Sequence, residues 1–255
     1  MLLRRDDRGV LAIGQPSHAW VSGQVARAWG NERFGAVEPR EELCLAAEQH
    51  DIGMADWDLE PSFNARTGLP HAFTEMPLDV HLELWRGAPL RLIRQSRYAA
   101  VLCSLHGMRL YQMRDLAQLA ARDADEVRAM IAFQQTLQAE LCASLGLDVA
   151  DAGLRRASDL VWTWDYLSLA LCLGWPPCTA KAVPTSSSSI DLVLSPGGAH
   201  LVHIDPWPFA ATTVTVHCEG QRLAGPYASE NELRAALAAS PWETLPIELT
   251  PARNA

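Results

Sequence analysis

The sequence predicts a mainly α fold with a small C-terminal α+β appendage, on three observations. Through about residue 174, apolar residues recur at the spacing of helix faces, as in Leu43, Ala46, Ala47 and His50 at i, i+3, i+4 and i+7. Trp175-Pro176-Pro177, Pro184 and the run Ser186–Ser189 then interrupt the pattern. Beyond them the apolar period changes to two, the spacing of strands. At 255 residues and 49% hydrophobic, the chain is long enough to bury a full-sized core. The expected division is residues 1–184 as a helical domain and 185–255 as a small sheet with one helix.

Taken in order, Gly9-Val10-Leu11-Ala12-Ile13 reads as a short strand or arm ending at Gly14-Gln15-Pro16. Ser17 is placed to cap a helix over His18–Trp29, which Gly30-Asn31 stops. A second helix runs from about Pro39 to Ile52, ended by Gly53. Residues 54–77 are rich in Pro, Gly, Asn and aromatic side chains and read as a long ordered loop. Helices follow over Leu78–Trp85, Arg91–Tyr111, Asp123–Leu145 and Asp151–Leu173. In the tail, Ile190–Leu194 and His200–Ile204 flank Pro196-Gly197-Gly198 as a hairpin, and Thr212–His217 adds a strand. Ser229-Glu230-Asn231-Glu232 is a capping box opening a helix through Ala239. This tail either covers a cleft in the helical body or builds a homodimer interface.

Composition excludes several partners. The chain carries 21 basic and 30 acidic residues, and Lys181 is its one lysine. With no basic run, neither a nucleic-acid groove nor an anionic membrane surface is expected. No apolar stretch is long enough for a transmembrane helix, and the charged N-terminus is unlike a signal peptide. The expected setting is the cytoplasm and the expected partner a small molecule. The six cysteines are scattered without a Cys-x-x-Cys pair, which predicts reduced core thiols.

The chemistry is carried by histidine and aspartate. His50-Asp51, inside Gln49-His50-Asp51-Ile52-Gly53, is flanked in sequence by His18, His81, His106 and Asp165, all of types that bind hard or borderline metals. Alone, each reads equally well as a hydrogen-bonded core or surface residue. His81 and His106 lie in apolar helical surroundings, where each ring nitrogen needs a partner. Asp165 stands between aromatics in the most apolar helix, where an unpaired carboxylate would be driven to protonate. Neighbouring His and Asp on a helix diverge by about 100°, so His50 and Asp51 suit two ions bridged by the Asp51 carboxylate better than one.

In His18, the His50-Asp51 pair and Asp165, over roughly residues 10–174, the chain resembles the HD-domain superfamily of metal-dependent phosphohydrolases. The resemblance implies an HD-type helical bundle in which His18, His50, Asp51 and Asp165 hold one metal. It further implies that His81 and His106, with bridging Asp51, hold a second, a role for which His71 competes. Where many members carry a cation after the His-Asp-Ile-Gly string, this chain has Met54, followed by Asp56, Asp58 and Glu60. That acidic rim disfavours nucleotides and polyphosphates. Arg109, three residues after His106, is the candidate for a substrate phosphate, with His71 and Asp58 beside it. Asp58 and Glu48 are the carboxylates available as a general base.

The function this implies is hydrolysis of a small phosphoester by a binuclear centre, with a metal-bridging hydroxide as nucleophile and Asp51 and His50 at its heart. Two divalent ions would serve, iron or manganese first, magnesium or zinc next. The alternative is a mixed-valent di-iron oxygenase using the same six ligands. A non-catalytic module that binds a small ligand is the third reading.

Overall fold

Strand-forming segments from both ends of the chain meet in one sheet, and the helices between them fill its concave side. The computed structural model describes residues 1–252. Leu2–Asp6 (β1) and Gly9–Ile13 (β2) form a hairpin, followed by helices Gln15–Ala28 (α1) and Arg40–Gln49 (α2). A 3-10 turn at Ile52–Met54 leads into the short helix Ala55–Leu59 (α3), and Phe63–Asn64 (β3) and Leu69–Pro70 (β4) make a separate ribbon. Four helices follow: Leu78–Leu92 (α4), Arg97–Gln112 (α5), Ala121–Leu145 (α6) and Ala152–Leu173 (α7). Then come Cys178–Pro184 (β5), Ser189–Gly198 (β6), Leu201–Asp205 (β7), Val214–Leu223 (β8), Glu230–Ala239 (α8) and Trp242–Pro251 (β9).

The seven-stranded sheet has the order β1-β2-β8-β9-β7-β6-β5, antiparallel throughout except where β9 runs parallel to β7. Its register sets Val10 opposite Leu223, Cys218 opposite Leu245 and Val202 opposite Leu249. In β9 the buried residues are Leu245, Ile247 and Leu249, while Thr244, Pro246 and Glu248 face out, the alternation of a sheet with one covered face.

The expectation of a mainly α helical bundle with a small appendage is therefore corrected. About half of the residues are helical and the sheet is large, curled and mixed, which makes this an α/β fold. The physical reason is that one long-range pairing joins the N-terminal hairpin to the C-terminal strands. β2 bonds to β8 across more than 200 residues, and β1 disguises itself with Arg4, Arg5 and Asp6. The larger of two hydrophobic cores runs from Leu11 and Ile13 through Val21, Val25, Trp85 and Trp164 to Val216 and Ile247, joining sheet and helices, while Val10, Ala12, Leu223, Leu233 and Leu237 belong to a smaller second one.

Two straps make the sheet the platform of the helices. Ser17 Oγ accepts from the Glu219 N–H at 2.7 Å, and the Gln24 amide bonds both the N–H and the C=O of His217 at 3.0 and 2.8 Å, fixing α1 on β8. Arg4 on β1 donates to the Leu171 carbonyl at 3.0 Å, near the end of α7. No helix is long and apolar enough to cross a membrane. Five cysteines are buried and Cys178 is half-buried, all as free thiols.

Candidate metal centre

Four helical segments converge beneath the sheet, each bringing acid or imidazole. α1 supplies His18, the end of α2 supplies His50 and Asp51, α5 supplies His106 and α7 supplies Asp165. α2 stops at Gln49, so His50 is its C-cap and Asp51 already has φ −99° and ψ 18° as the chain turns into Ile52–Met54. This break overturns the expected 100° divergence. His50 Nε2 and Asp51 Oδ2 lie 3.6 Å apart and converge on one point. Gly53 makes the turn feasible, because a Cβ there would overlap the Leu84 carbonyl and Ala88 on α4.

Around that point His18 Nε2 is 3.0 Å from Asp51 Oδ2 and 3.4 Å from Asp165 Oδ1. His50 Nε2 is 3.2 Å from Asp165 Oδ1, and His106 Nε2 is 3.7 Å from Asp165 Oδ2. All five residues are between 0% and 8% exposed. Among the described residues, no arginine or lysine pairs with either carboxylate.

The outer faces of two imidazoles are fixed by the protein. His50 Nδ1 donates to the Ala47 carbonyl at 2.8 Å. His18 Nδ1 donates to Ser168 Oγ at 2.8 Å, whose own proton goes to the Asp165 carbonyl. Each ring then turns its Nε2 toward the carboxylates; His18 Nε2 meets Asp51 Oδ2 at 3.0 Å, and His50 Nε2 has no hydrogen-bond partner. Lone pairs facing carboxylate oxygens at these distances require a cation or a proton between them.

Electrostatics tell the same story. Burial would strip His50 of its proton, but Asp51 and Asp165 outweigh it and raise the imidazole to about 9. Burial would likewise raise both carboxyls, yet His50 and its neighbours hold Asp51 and Asp165 well below the usual carboxylate range. Burial dominates at His106, pushing it down to about 4 against the pull of Asp165. Two buried carboxylates thus share one pocket with His50, and no arginine or lysine joins them.

The remaining expected residues lie differently. His81 lines the adjoining cavity, but its Nε2 accepts from Trp85 Nε1 at 3.0 Å and its Nδ1 bonds the Tyr111 hydroxyl. Burial and the charge of Arg114 push it down to about 4, so it is a neutral ring with both nitrogens engaged. His71 bonds Ser62 in the β3–β4 ribbon and stays away from the cluster. Asp58 holds the Met1 amino group at 2.8 Å and the Gln15 backbone N–H. Glu48 pairs with Arg27 on the surface. Arg109 pairs with Asp159 at 2.7 Å and stacks 4.5 Å over Trp162, behind His106 rather than in the cavity.

Sequence reasoning missed three residues. Ser168 orients His18; its only signal is the i, i+3 spacing from Asp165. Gln15 donates from Nε2 to Asp51 Oδ2 at 3.2 Å and keeps a buried, unpartnered Oε1. Arg114, two residues past the end of α5, lines the cavity and stacks 4.8 Å over Tyr111. Nothing in its local sequence marks it out.

Fold and site together define an α/β protein with a buried His/Asp cluster at a four-way helix junction. The chain belongs to the family described as protein of unknown function (DUF3891), whose profile matches residues 1–225. No curated protein and no solved structure matches it. This corrects the resemblance to the HD-domain superfamily, since the matched family is a different one and the helices lie on a seven-stranded sheet instead of forming a bundle. The ligand roles implied by that resemblance lose its support and rest on geometry alone.

Proposed function

We propose that the protein is a metal-dependent hydrolase of a small phosphoester, with one divalent ion held within the cluster of His18, His50, Asp51, His106 and Asp165. The observation that carries this reading is the pair of buried carboxylates met by three imidazoles and the Gln15 amide but by no arginine or lysine, with His50 Nε2 unpartnered. A divalent ion would balance both carboxylates and would bind the Nε2 atoms of the oriented rings. The mixed imidazole and carboxylate set suits iron or manganese first, and zinc or magnesium next.

One ion fits better than two. The cluster divides into His18–His50–Asp51 and His50–His106–Asp165, which share His50. With Nδ1 committed to Ala47, His50 has one nitrogen left, and one lone pair serves one ion. His81, the expected extra ligand of a second ion, is engaged by Trp85 and Tyr111.

A bound divalent ion lowers the pKa of water to near 7 and so supplies a nucleophile at neutral pH. The protein's part is to exclude bulk water and to orient that water, for which Gln15 Oε1, buried and free, is the available acceptor. In hydrolysis the water oxygen bonds to phosphorus, the ester P–O bond breaks, and the leaving oxygen takes up the proton.

The test is metal content on protein purified without chelator, together with turnover of p-nitrophenyl phosphate. One equivalent per chain is expected, lost in Asp51→Asn and Asp165→Asn, with hydrolysis falling at least about a hundredfold. Two equivalents would refute the single-ion centre, and two irons with dioxygen consumption would replace hydrolysis by oxygenation. Bound metal without turnover of any phosphoester would leave a ligand-binding module. Full metal content in both variants would remove the site.

A further inference from the structure

Beside the cluster lies a cavity of about 240 Å³ whose walls have two distinct chemistries. His18, Asp51, His106 and Asp165 form its floor. Met54, Phe73, Met76, Leu110 and Leu169 make an apolar side. Arg114 lines it as well, with no ion pair or hydrogen bond to its guanidinium among the described residues and its charge resting on Tyr111. The residue is solvent-exposed, so the guanidinium stands at the rim of the cavity. An arginine held at a cavity mouth without a protein partner is a preformed anion site.

Size and wall chemistry narrow the ligand. The volume falls below the roughly 300–1,000 Å³ of sites for drug-sized ligands. A nucleotide's base and sugar would find neither room nor polar partners on the methionine and leucine side. We propose that this cavity selects a small organic phosphoester with one anionic head and an apolar body, the head gripped between the cluster and Arg114. The body then lies on Met54, Phe73, Met76, Leu110 and Leu169. This rests on the reading of the cluster as a metal centre, and Arg114 acts in it as a specificity residue toward the head group.

The test uses the metal-loaded protein and phosphonates that cannot be hydrolysed. Phenylphosphonate, methylphosphonate and AMP are titrated by calorimetry, with metal content measured on the same samples. Phenylphosphonate should bind at least about tenfold more tightly than methylphosphonate, because the ring is buried on the apolar side. AMP should give no binding. Arg114→Gln should keep its metal and weaken both phosphonates by about ten- to a hundredfold, whereas Arg109→Gln, outside the cavity, should leave them unchanged. Equal affinities for the two phosphonates, binding of AMP, or an Arg114→Gln variant with undiminished affinity would overturn the proposal while leaving the metal centre standing. Failure of the metal reading shows separately, as absence of metal in the unmodified protein.

Discussion

Ser168 touches no carboxylate side chain, yet its hydroxyl decides which nitrogen of His18 carries the proton. Ser168→Ala removes the acceptor for His18 Nδ1, and metal affinity should fall by about ten- to a hundredfold with the fold intact; competition against a chelator reads this directly. The histidines also predict how the metal-free protein responds to pH. His50 is raised to about 9 in the folded state, so its contribution is complete below about 6.5 and is lost as pH rises through about 9. His81 and His106 are lowered to about 4, so their contribution is present above about 6.5 and is lost as pH falls toward 4. Thermal unfolding in chelator should therefore peak near neutral pH and decline on both sides. An alkaline limb that does not fall would contradict the charged state assigned to His50. The five residues of the cluster were legible in sequence because acid and imidazole are out of place on apolar helix faces. Arg114 was not, because an arginine beyond a helix end looks like any exposed side chain, and only the fold turns it toward the cavity.

Between elements, the site depends on helices approaching closely where glycine permits it. Gly107 follows His106 on α5, and a Cβ there would overlap the Trp85 ring of α4. That ring in turn holds His81. Gly107→Ala should cost about 1–3 kcal/mol in urea unfolding, the usual toll of overpacking a core, and should free His81 from Trp85, visible as a rise in its titration toward the ordinary histidine range by NMR. An unchanged midpoint would mean that α4 and α5 adjust without strain. The helices themselves were largely readable from their periodicity, with α7 starting at the Asp151 cap. The decisive local feature was not readable. The sequence carries α2 on through the dyad, while the chain breaks at Gln49 so that both side chains face one centre. The close packing of the following turn on α4 enforces that break, and no local pattern records it.

For the molecule as a whole, the last strand is structurally central although it lies outside the residues matched by the family. The match ends at residue 225, while β9 at Trp242–Pro251 sits between β8 and β7. Removing everything after residue 225 would open two strand edges in the sheet's interior and uncover Val216, Cys218 and Ile204. Such a chain should aggregate or lose its cooperative unfolding transition. A soluble, cooperatively folding fragment with full metal content would show that the sheet is dispensable to the site. The sheet was the least legible part because the β2–β8 pairing joins residues about 200 positions apart, and Pro246 interrupts the look of a strand without disturbing the inward face.

The residues of the cluster are spread from His18 to Asp165, on segments far apart in the extended chain. An ion seated among them is therefore a cross-link, tying four points of the polymer at once and closing loops that span most of the helical region. Cross-links of this kind act by restricting the unfolded ensemble as much as by strengthening the native one. If the proposed ion is bound, a cell short of it would hold a looser chain, more open to proteases, and the protein's abundance would follow the supply of that ion.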